Sequence, residues 1–256
     1  MQIATSSARH QRILAMLRDR GGIRIADLPG ELGVTPMTAW RDLKLLGEQG
    51  LLRRVRGGAL PGGSTEPDFE EKSEAAGAAK QRIGAAAVRE FVREGDVVAM
   101  EGGTTVAALV EALPHGRISI LTNSLPVALR VRSERPALPV RVIGGWLSPV
   151  SGNTTGPGVL KDLRGARASV CFLSTTGWDA SRGPMDPNPL EIEVKRGLAA
   201  ASERVVLLID SRKFGISSAS VMIHPRRLHA IVTDKSIPRA ILASLRATGV
   251  RVVVAK

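Results

Sequence analysis

The sequence predicts an α/β protein in two parts: a small helical unit ending in a two-stranded ribbon, then a mostly parallel α/β domain with helices on both faces. Three observations predict it. Val34 to Leu60, VTPMTAWRDLKLLGEQGLLRRVRGGAL, holds a helix, a stop and an arginine-rich ribbon within 27 residues. From Gly95 onward seven short β-branched runs alternate with segments of helical length, the pattern of a sheet buried on both sides. Between the two parts, PGGSTEPD breaks all periodicity with two prolines and two glycines. The expected boundaries are 1–60, a linker at 61–68, and 69–256.

In the first part, a helix is expected from about Ala8, with Ile13, Leu14, Met16 and Leu17 as its apolar stripe and Gly21–Gly22 as its stop. A second short helix lies within 25–32. Pro29 is tolerable only in a first turn, so that helix starts close to Asp27 or Leu28. Gly33 and Val34 turn into a third helix, where Thr35 caps and Pro36 fits the first turn. At about 100° per residue, Ala39, Leu43 and Leu46 share one face. Met37, Thr38, Trp40, Arg41 and Lys44 occupy the other. Gly50 ends the helix, and Leu51 starts a ribbon carrying Arg53, Arg54 and Arg56 before Gly57–Gly58. This is a winged helix-turn-helix, and it points to double-stranded DNA.

On that reading Thr35, Met37, Thr38, Trp40, Arg41, Lys44, Arg53, Arg54 and Arg56 are the candidate DNA contacts. Only arginine offers the two-pronged donor that suits guanine. Trp40 has two readings, either touching a thymine methyl or folding onto the wing or a partner subunit as apolar area. Charge agrees: residues 1–60 hold ten Lys or Arg against five Asp or Glu, within a chain of net charge +12. Affinity is therefore expected to fall steeply with salt.

The segment resembles the DNA-binding domain of the DeoR family of bacterial transcription regulators. The resemblance rests on Arg9, Gln11, Ile13 to Leu17, Val34, Thr38, Arg41 to Leu43, Gly50, Leu51, Arg53, Arg54, Gly57 and Gly58. Trp40 stands where that family has the first of two arginines, and Arg56 where it commonly has histidine.

In the second part, 69–93 reads as a helix rich in Ala, Glu, Lys and Arg. The runs DVVAM, ISILTN, VRVIGG, SVCFLS, RVVLLID, AIVTD and VRVVVA are the expected strands. Ligands of such sheets bind at the carboxyl ends of strands. After DVVAM come Glu101, Gly102, Gly103, Thr104 and Thr105, a glycine turn into the helix VAALVEAL, whose amides and hydroxyls suit a phosphate. ISILTN delivers Thr122 and Asn123, SVCFLS is followed by Thr176 and Gly177, and RVVLLID ends at Asp210 with Lys213 beyond. Converging, these supply a lysine and amides for a phosphate and polar groups for sugar hydroxyls. Taken singly, Asn123 and Asp210 are equally read as helix caps and Lys213 as a surface charge.

The order MEGGTT, LTNS, VIGG, Gly156–Pro157, Thr176–Gly177, Glu191 to Lys195 and IDSRKFG resembles the DeoR sensor domain. That domain is similar in fold to phosphosugar isomerases, and the resemblance implies a phosphorylated sugar or sugar-alcohol effector, repression relieved by it, and a homo-oligomer, dimer or tetramer. Glu101–Gly102 replaces the family's aspartate-serine pair. Two other readings stay open: a sugar-phosphate isomerase fused to a DNA reader, with Glu101 or Asp179 as base, and a DNA-binding protein that takes no ligand.

No cofactor is expected. The four histidines, His10, His115, His224 and His229, lack paired metal-ligand spacing. No run of 18 apolar residues suggests a membrane span. A single cysteine, Cys171 in an apolar run, reads as a buried small hydrophobe in a reducing cytoplasm.

Overall fold

A computed structural model describes residues 6–48, 51–55, 57–61 and 77–256, except the side chains at 6, 7, 18, 48, 53 and 61. Helix α1 (Ser6–Arg20) begins two residues before the expected Ala8 and stops where Gly21 takes φ +66°. A short strand β1 (Ile23–Arg24) follows, which no periodicity announces because it is two residues long. Helix α2 (Leu28–Leu32) starts at the expected place, with Pro29 in its first turn and Gly33 at φ +66° behind it. Helix α3 (Pro36–Glu48) leads to the ribbon β2 (Leu52–Val55) and β3 (Gly58–Pro61).

The three strands form a small antiparallel sheet in the order β1-β3-β2. Its core joins Ile13 and Leu17 of α1, Leu28 of α2, Ala39, Leu43 and Leu46 of α3, and Leu52 and Ala59 of the ribbon. The expected α3 face is the buried one, at 0–1% exposure. Gly50, Arg56, the linker from residue 62 and the first residues of the expected 69–93 helix lie outside the described residues.

In the second part, α4 (Gly77–Phe91) precedes β4 (Val97–Met100), α5 (Thr104–Ala107), β5 (Ser119–Thr122), α6 (Leu125–Glu134) and β6 (Val140–Val142). The hairpin β7 (Trp146–Leu147) and β8 (Thr154–Thr155) leads to α7 (Pro157–Arg164) and β9 (Ala168–Ser174). Then come β10 (Gly177–Asp179), β11 (Gly183–Asp186), α8 (Pro189–Ala200), β12 (Ser202–Leu208) and β13 (Ser220–Val221). The chain closes with β14 (Ala230–Asp234), α9 (Arg239–Ala247) and β15 (Arg251–Ala255).

All seven expected runs enter one sheet, in the order β15-β14-β12-β9-β4-β5-β6, and every neighbouring pair is parallel. Alternate residues feed two separate cores: Val170, Phe172, Val206 and Leu208 on one face, Cys171, Leu173, Val205 and Leu207 on the other. Burial on both sides explains why these strands read as continuous apolar runs. It also pushes the Cys171 thiol pKa up, leaving a protonated, enclosed group.

Two features depart from expectation. VAALVEAL does not form one helix; α5 lasts four residues and gives way to a 3-10 turn at Val110–Ala112. The small sheet β10-β11-β13 and the β7-β8 hairpin were not expected, since segments such as GPMD carry no strand pattern and pair only through tertiary contact.

From β4 the chain moves outward to β5 and β6, then returns to β9 on the other side of β4 and continues to β12, β14 and β15. The order thus reverses between β4 and β9, and in such sheets the carboxyl ends at the reversal are where a ligand crevice is expected.

Within the ribbon, a Cβ on Gly58 would lie 2.0 Å from the carbonyl oxygen of Ile23. Gly58→Ala is expected to part β1 from β3 and destabilise the first domain by about 1–3 kcal/mol, read as a lower urea midpoint for the N-terminal transition.

Candidate DNA-reading face and effector crevice

The amino end of α3 is fixed by Thr35, whose hydroxyl accepts from the Thr38 amide at 3.2 Å and pairs with the Thr38 hydroxyl at 2.9 Å. Met37, Trp40, Arg41 and Lys44 are exposed along the outer face. Trp40 takes the folded-back reading. The Arg54 guanidinium stands 4.9 Å from its ring centroid and the Lys44 ammonium 5.8 Å, so the indole ties α3 to the wing while staying 40% exposed. The side chain of Arg53 and all of Arg56 lie outside the described residues.

On the inner side Asp42 clamps α3 to α1. It accepts from Arg9 through both Nε and Nη2, the latter at 2.9 Å, and meets His10 Nε2 at 2.9 Å. Burial alone would raise its pKa; the bonds from Arg9 and His10 outweigh burial and hold the carboxyl below its ordinary value.

The crevice is built around a buried ion cluster. Lys195, on the inner face of α8, has its ammonium 2.7 Å from Asp186 Oδ2 and 3.3 Å from Glu101 Oε1, and donates to the Ser174 carbonyl at 3.1 Å. Glu101 Oε2 accepts from the Ser174 amide at 3.0 Å and hydroxyl at 2.9 Å, and Asp186 Oδ1 accepts from the Thr176 hydroxyl at 2.7 Å. Burial alone would lower the Lys195 pKa; the charges of Asp186, Glu101 and Glu191 outweigh it and hold the lysine above its ordinary value. Asp186 and Lys195 escaped notice in the residue pattern. The readable signal was two ionisable residues, Glu191 and Lys195, one turn apart on an otherwise apolar helix face.

Gly102 and Gly103 owe their identity to close approach. A Cβ on Gly102 would lie 1.7 Å from Asn153 Oδ1, and one on Gly103 would lie 1.8 Å from the Ser174 hydroxyl. Thr122 is engaged on both sides, donating to the Met100 carbonyl at 2.7 Å and accepting from the Ser124 amide at 3.0 Å. Gly177 lies against the Ile216 carbonyl, 2.1 Å from where its Cβ would be. These residues shape the crevice.

Others present unsatisfied groups. Among the described residues, Thr105 Oγ1, Asn123 Oδ1, Asn153 Oδ1 and Asp210 Oδ2 are buried without a hydrogen-bond partner. Asp210 caps the 3-10 turn Ser211–Lys213 through its other oxygen, which also meets Arg212 Nε at 2.9 Å. Burial raises its pKa, but the charges of Lys213, Arg212 and Lys80 bring it below the ordinary value. Lys213 donates to the Thr175 carbonyl at 2.8 Å. Beside Thr104 lies a cavity of about 400 Å³ lined by Gly77, Lys80, Gln81, Thr104, Ala108 and Arg130. Lys80 and Asn153 are further residues that the strand-end search passed over, because neither follows a main strand.

Among the described residues no cluster of His, Cys, Asp or Glu is arranged to hold a metal, and no helix is long and apolar enough to cross a membrane.

A winged helix with a cationic outer face, joined in one chain to a parallel α/β unit with a polar crevice at its switch point, defines a DNA-binding transcription regulator with a sensor domain. The DeoR-like helix-turn-helix domain matches residues 9–61, and the DeoR C terminal sensor domain matches residues 76–235. The chain belongs to the DeoR family.

Relatives match nearly end to end. A protein of Escherichia coli O157:H7 named for repression of the aga operon is 31% identical over 98% of this chain and 95% of its own. The glycerol-3-phosphate regulon repressor of Escherichia coli (strain K12) is 29% identical over 93% and 94%. Among solved structures, ribose 5-phosphate isomerase A from Neisseria gonorrhoeae aligns at 18% identity over 57% of this chain and 55% of that one, with a TM-score of 0.39.

Asp42→Asn is expected to cost about 1.5–3 kcal/mol at pH 7. A carboxylate with a lowered folded pKa contributes stability above its unfolded value, near 4, and loses it as pH falls through the folded value. The gap between wild type and variant should therefore narrow below about pH 4, as measured by urea unfolding at pH 7 and pH 3.

Proposed function

We propose that this protein represses a sugar or sugar-alcohol catabolic operon in the cytoplasm, and that a phosphorylated sugar bound at the carboxyl ends of β4 and β9 modulates its grip on operator DNA. The observation that carries this reading is the set of unpartnered buried polar atoms on Thr105, Asn123 and Asp210, in the segments that follow β4, β5 and β12, and on Asn153, which abuts Gly102. Such atoms are costly to leave unpaired, and a polyhydroxyl ligand offers matching partners. Thr104, Lys80 and Lys213 stand by for its phosphate, with Glu101 held beneath them by Ser174 and Lys195. The names of the relatives point the same way.

Operator contact falls to α3 and the wing, with Arg41 and Lys44 on bases or phosphates, Trp40 and Arg54 as a stacked pair, and Thr35, Met37, Thr38, Arg53 and Arg56 around them. A homo-oligomer sets two such helices at a fixed spacing, and effector binding favours an arrangement that misses it. On this reading residues 1–60 form the DNA reader, 61–68 the linker and 69–256 the sensor, although β3 carries the reader's sheet through Pro61.

Binding is favoured over catalysis by the state of the two candidate bases. Asp179 accepts from the Ser181 hydroxyl and amide, the Ser217 hydroxyl and Arg182, which together hold it well below the usual carboxylate range and make it a weak base. Both oxygens of Glu101 are already engaged.

Fluorescence anisotropy with fragments of the neighbouring promoters tests the reading. Arg41→Ala should abolish discrimination between specific and random DNA; unchanged specificity would remove α3 from its role. In thermal-shift measurements with ribose 5-phosphate, glycerol 3-phosphate and inorganic phosphate, a ligand at 100 times its Kd adds about 2.7 kcal/mol. Lys213→Ala and Thr104→Val should keep operator binding and lose that shift; retention in both would displace the pocket.

A further inference from the structure

Among the described residues, the loop that follows Lys213 touches the DNA reader through backbone and apolar atoms at several points. Gly215 turns with φ +83° and donates its amide to the Trp178 carbonyl at 2.9 Å. Phe214 bridges Trp178, and the two rings meet edge to face at 5.9 Å. Ile216 is 1% exposed, and its backbone lies on Gly177.

On its other side the loop meets three parts of the reader. The Ile216 Cδ1 atom lies 3.0 Å from where a Cβ of Gly22 would be, between α1 and β1. The Gly215 carbonyl lies 3.1 Å from the corresponding point on Gly57, in the turn of the wing. Arg24 Cδ lies 3.3 Å from the Cβ position of Gly215. Glycine at three of these points lets the two backbones approach within ordinary packing distance.

Both ends of the loop are tied to the sensor. Lys213 holds the Thr175 carbonyl at 2.8 Å on the crevice side, and the Ser217 hydroxyl donates to Asp179 at 2.8 Å on the far side. A ligand phosphate that draws the Lys213 ammonium away from Thr175 therefore acts on one anchor of the segment whose middle presses on the wing turn. Gly57, at φ +88°, also carries the carbonyl that accepts from the Ile25 amide at 2.9 Å, so the turn and β1 move together.

We propose that Phe214–Ser217 is an intramolecular docking surface for the winged helix, that it holds the Gly57 turn against the sensor and away from DNA, and that occupancy of the crevice sets how firmly it docks. The proposal rests on the effector reading above for its trigger, and on the contacts at Gly22, Arg24 and Gly57 for its geometry. The docked arrangement leaves the outer face of α3 open and sets the Gly215 carbonyl against one side of the wing turn, Gly57 itself staying exposed. A duplex that seats the wing meets that same side, so docking and DNA compete for it.

The test compares the full-length chain with Ile216→Ala, which removes the wedge from the sensor side, and Gly22→Ala, whose Cβ would lie 3.0 Å from both Ile216 Cδ1 and Leu60 Cδ2 of the ribbon and so crowds the contact from the reader side. Gly22 has no positive φ, so alanine fits its backbone. Anisotropy with the wild-type promoter fragment should show both variants binding about fivefold tighter or more, and the change that ribose 5-phosphate makes to that binding should shrink, because the docking contact it acts through is gone. Unchanged or weaker operator affinity in a variant that keeps its cooperative melting overturns the docking proposal. If Ile216→Ala fails to melt cooperatively, Gly22→Ala alone decides by the same criterion. A wild-type chain that binds none of the promoter fragments would instead defeat the regulator reading itself.

Discussion

The second domain depends on one buried ammonium. Lys195 meets three acceptors on three segments: Glu101 after β4, the Ser174 carbonyl at the end of β9 and Asp186 at the end of β11. An ammonium has three protons, so each acceptor has a donor to match. Burying such a group without partners would be prohibitive, and removing one partner from a buried pair costs about 3–5 kcal/mol. The strand ends on both sides of the switch point are thereby held in register by charge rather than by side-chain packing.

Much of this was legible in the residues. The α3 face of Ala39, Leu43 and Leu46 and the seven parallel runs all followed from periodicity, because each buries one stripe or two alternating faces whose spacing is written in the chain. Thr105, Asn123 and Asp210, located by the strand-end rule, proved to carry unpartnered buried atoms. The rest was hidden for identifiable reasons. The strands β1, β7, β8 and β13 are two residues long, too short for any period to show. Lys195 left only the faint mark of two ionisable residues one turn apart on α8, while its contacts to Glu101 and Ser174, and that of Asn153 with Gly102, join residues far apart in sequence. VAALVEAL looked helical by composition, yet α5 ends after four residues at Ala108, whose backbone packs closely against Gly84.

The two domains use their arginines and aromatics differently. In the reader, Trp40 stacks with Arg54 and so fixes the angle between helix and wing before any nucleic acid arrives. A preset angle lowers the entropy lost on docking to a groove. In the sensor Phe91, Phe172 and Phe214 are fully buried, while Trp146 of the β7-β8 hairpin is 81% exposed.

The close approach of Asn153 to Gly102 has a consequence for how this crevice can change over generations. With the amide oxygen 1.7 Å from where a Cβ would be, positions 102 and 153 share a single volume. A residue with any side chain at 102 is compatible only with a smaller or displaced neighbour at 153. The two sites behave as one locus, and a drift toward a new ligand at either would have to be compensated at its counterpart.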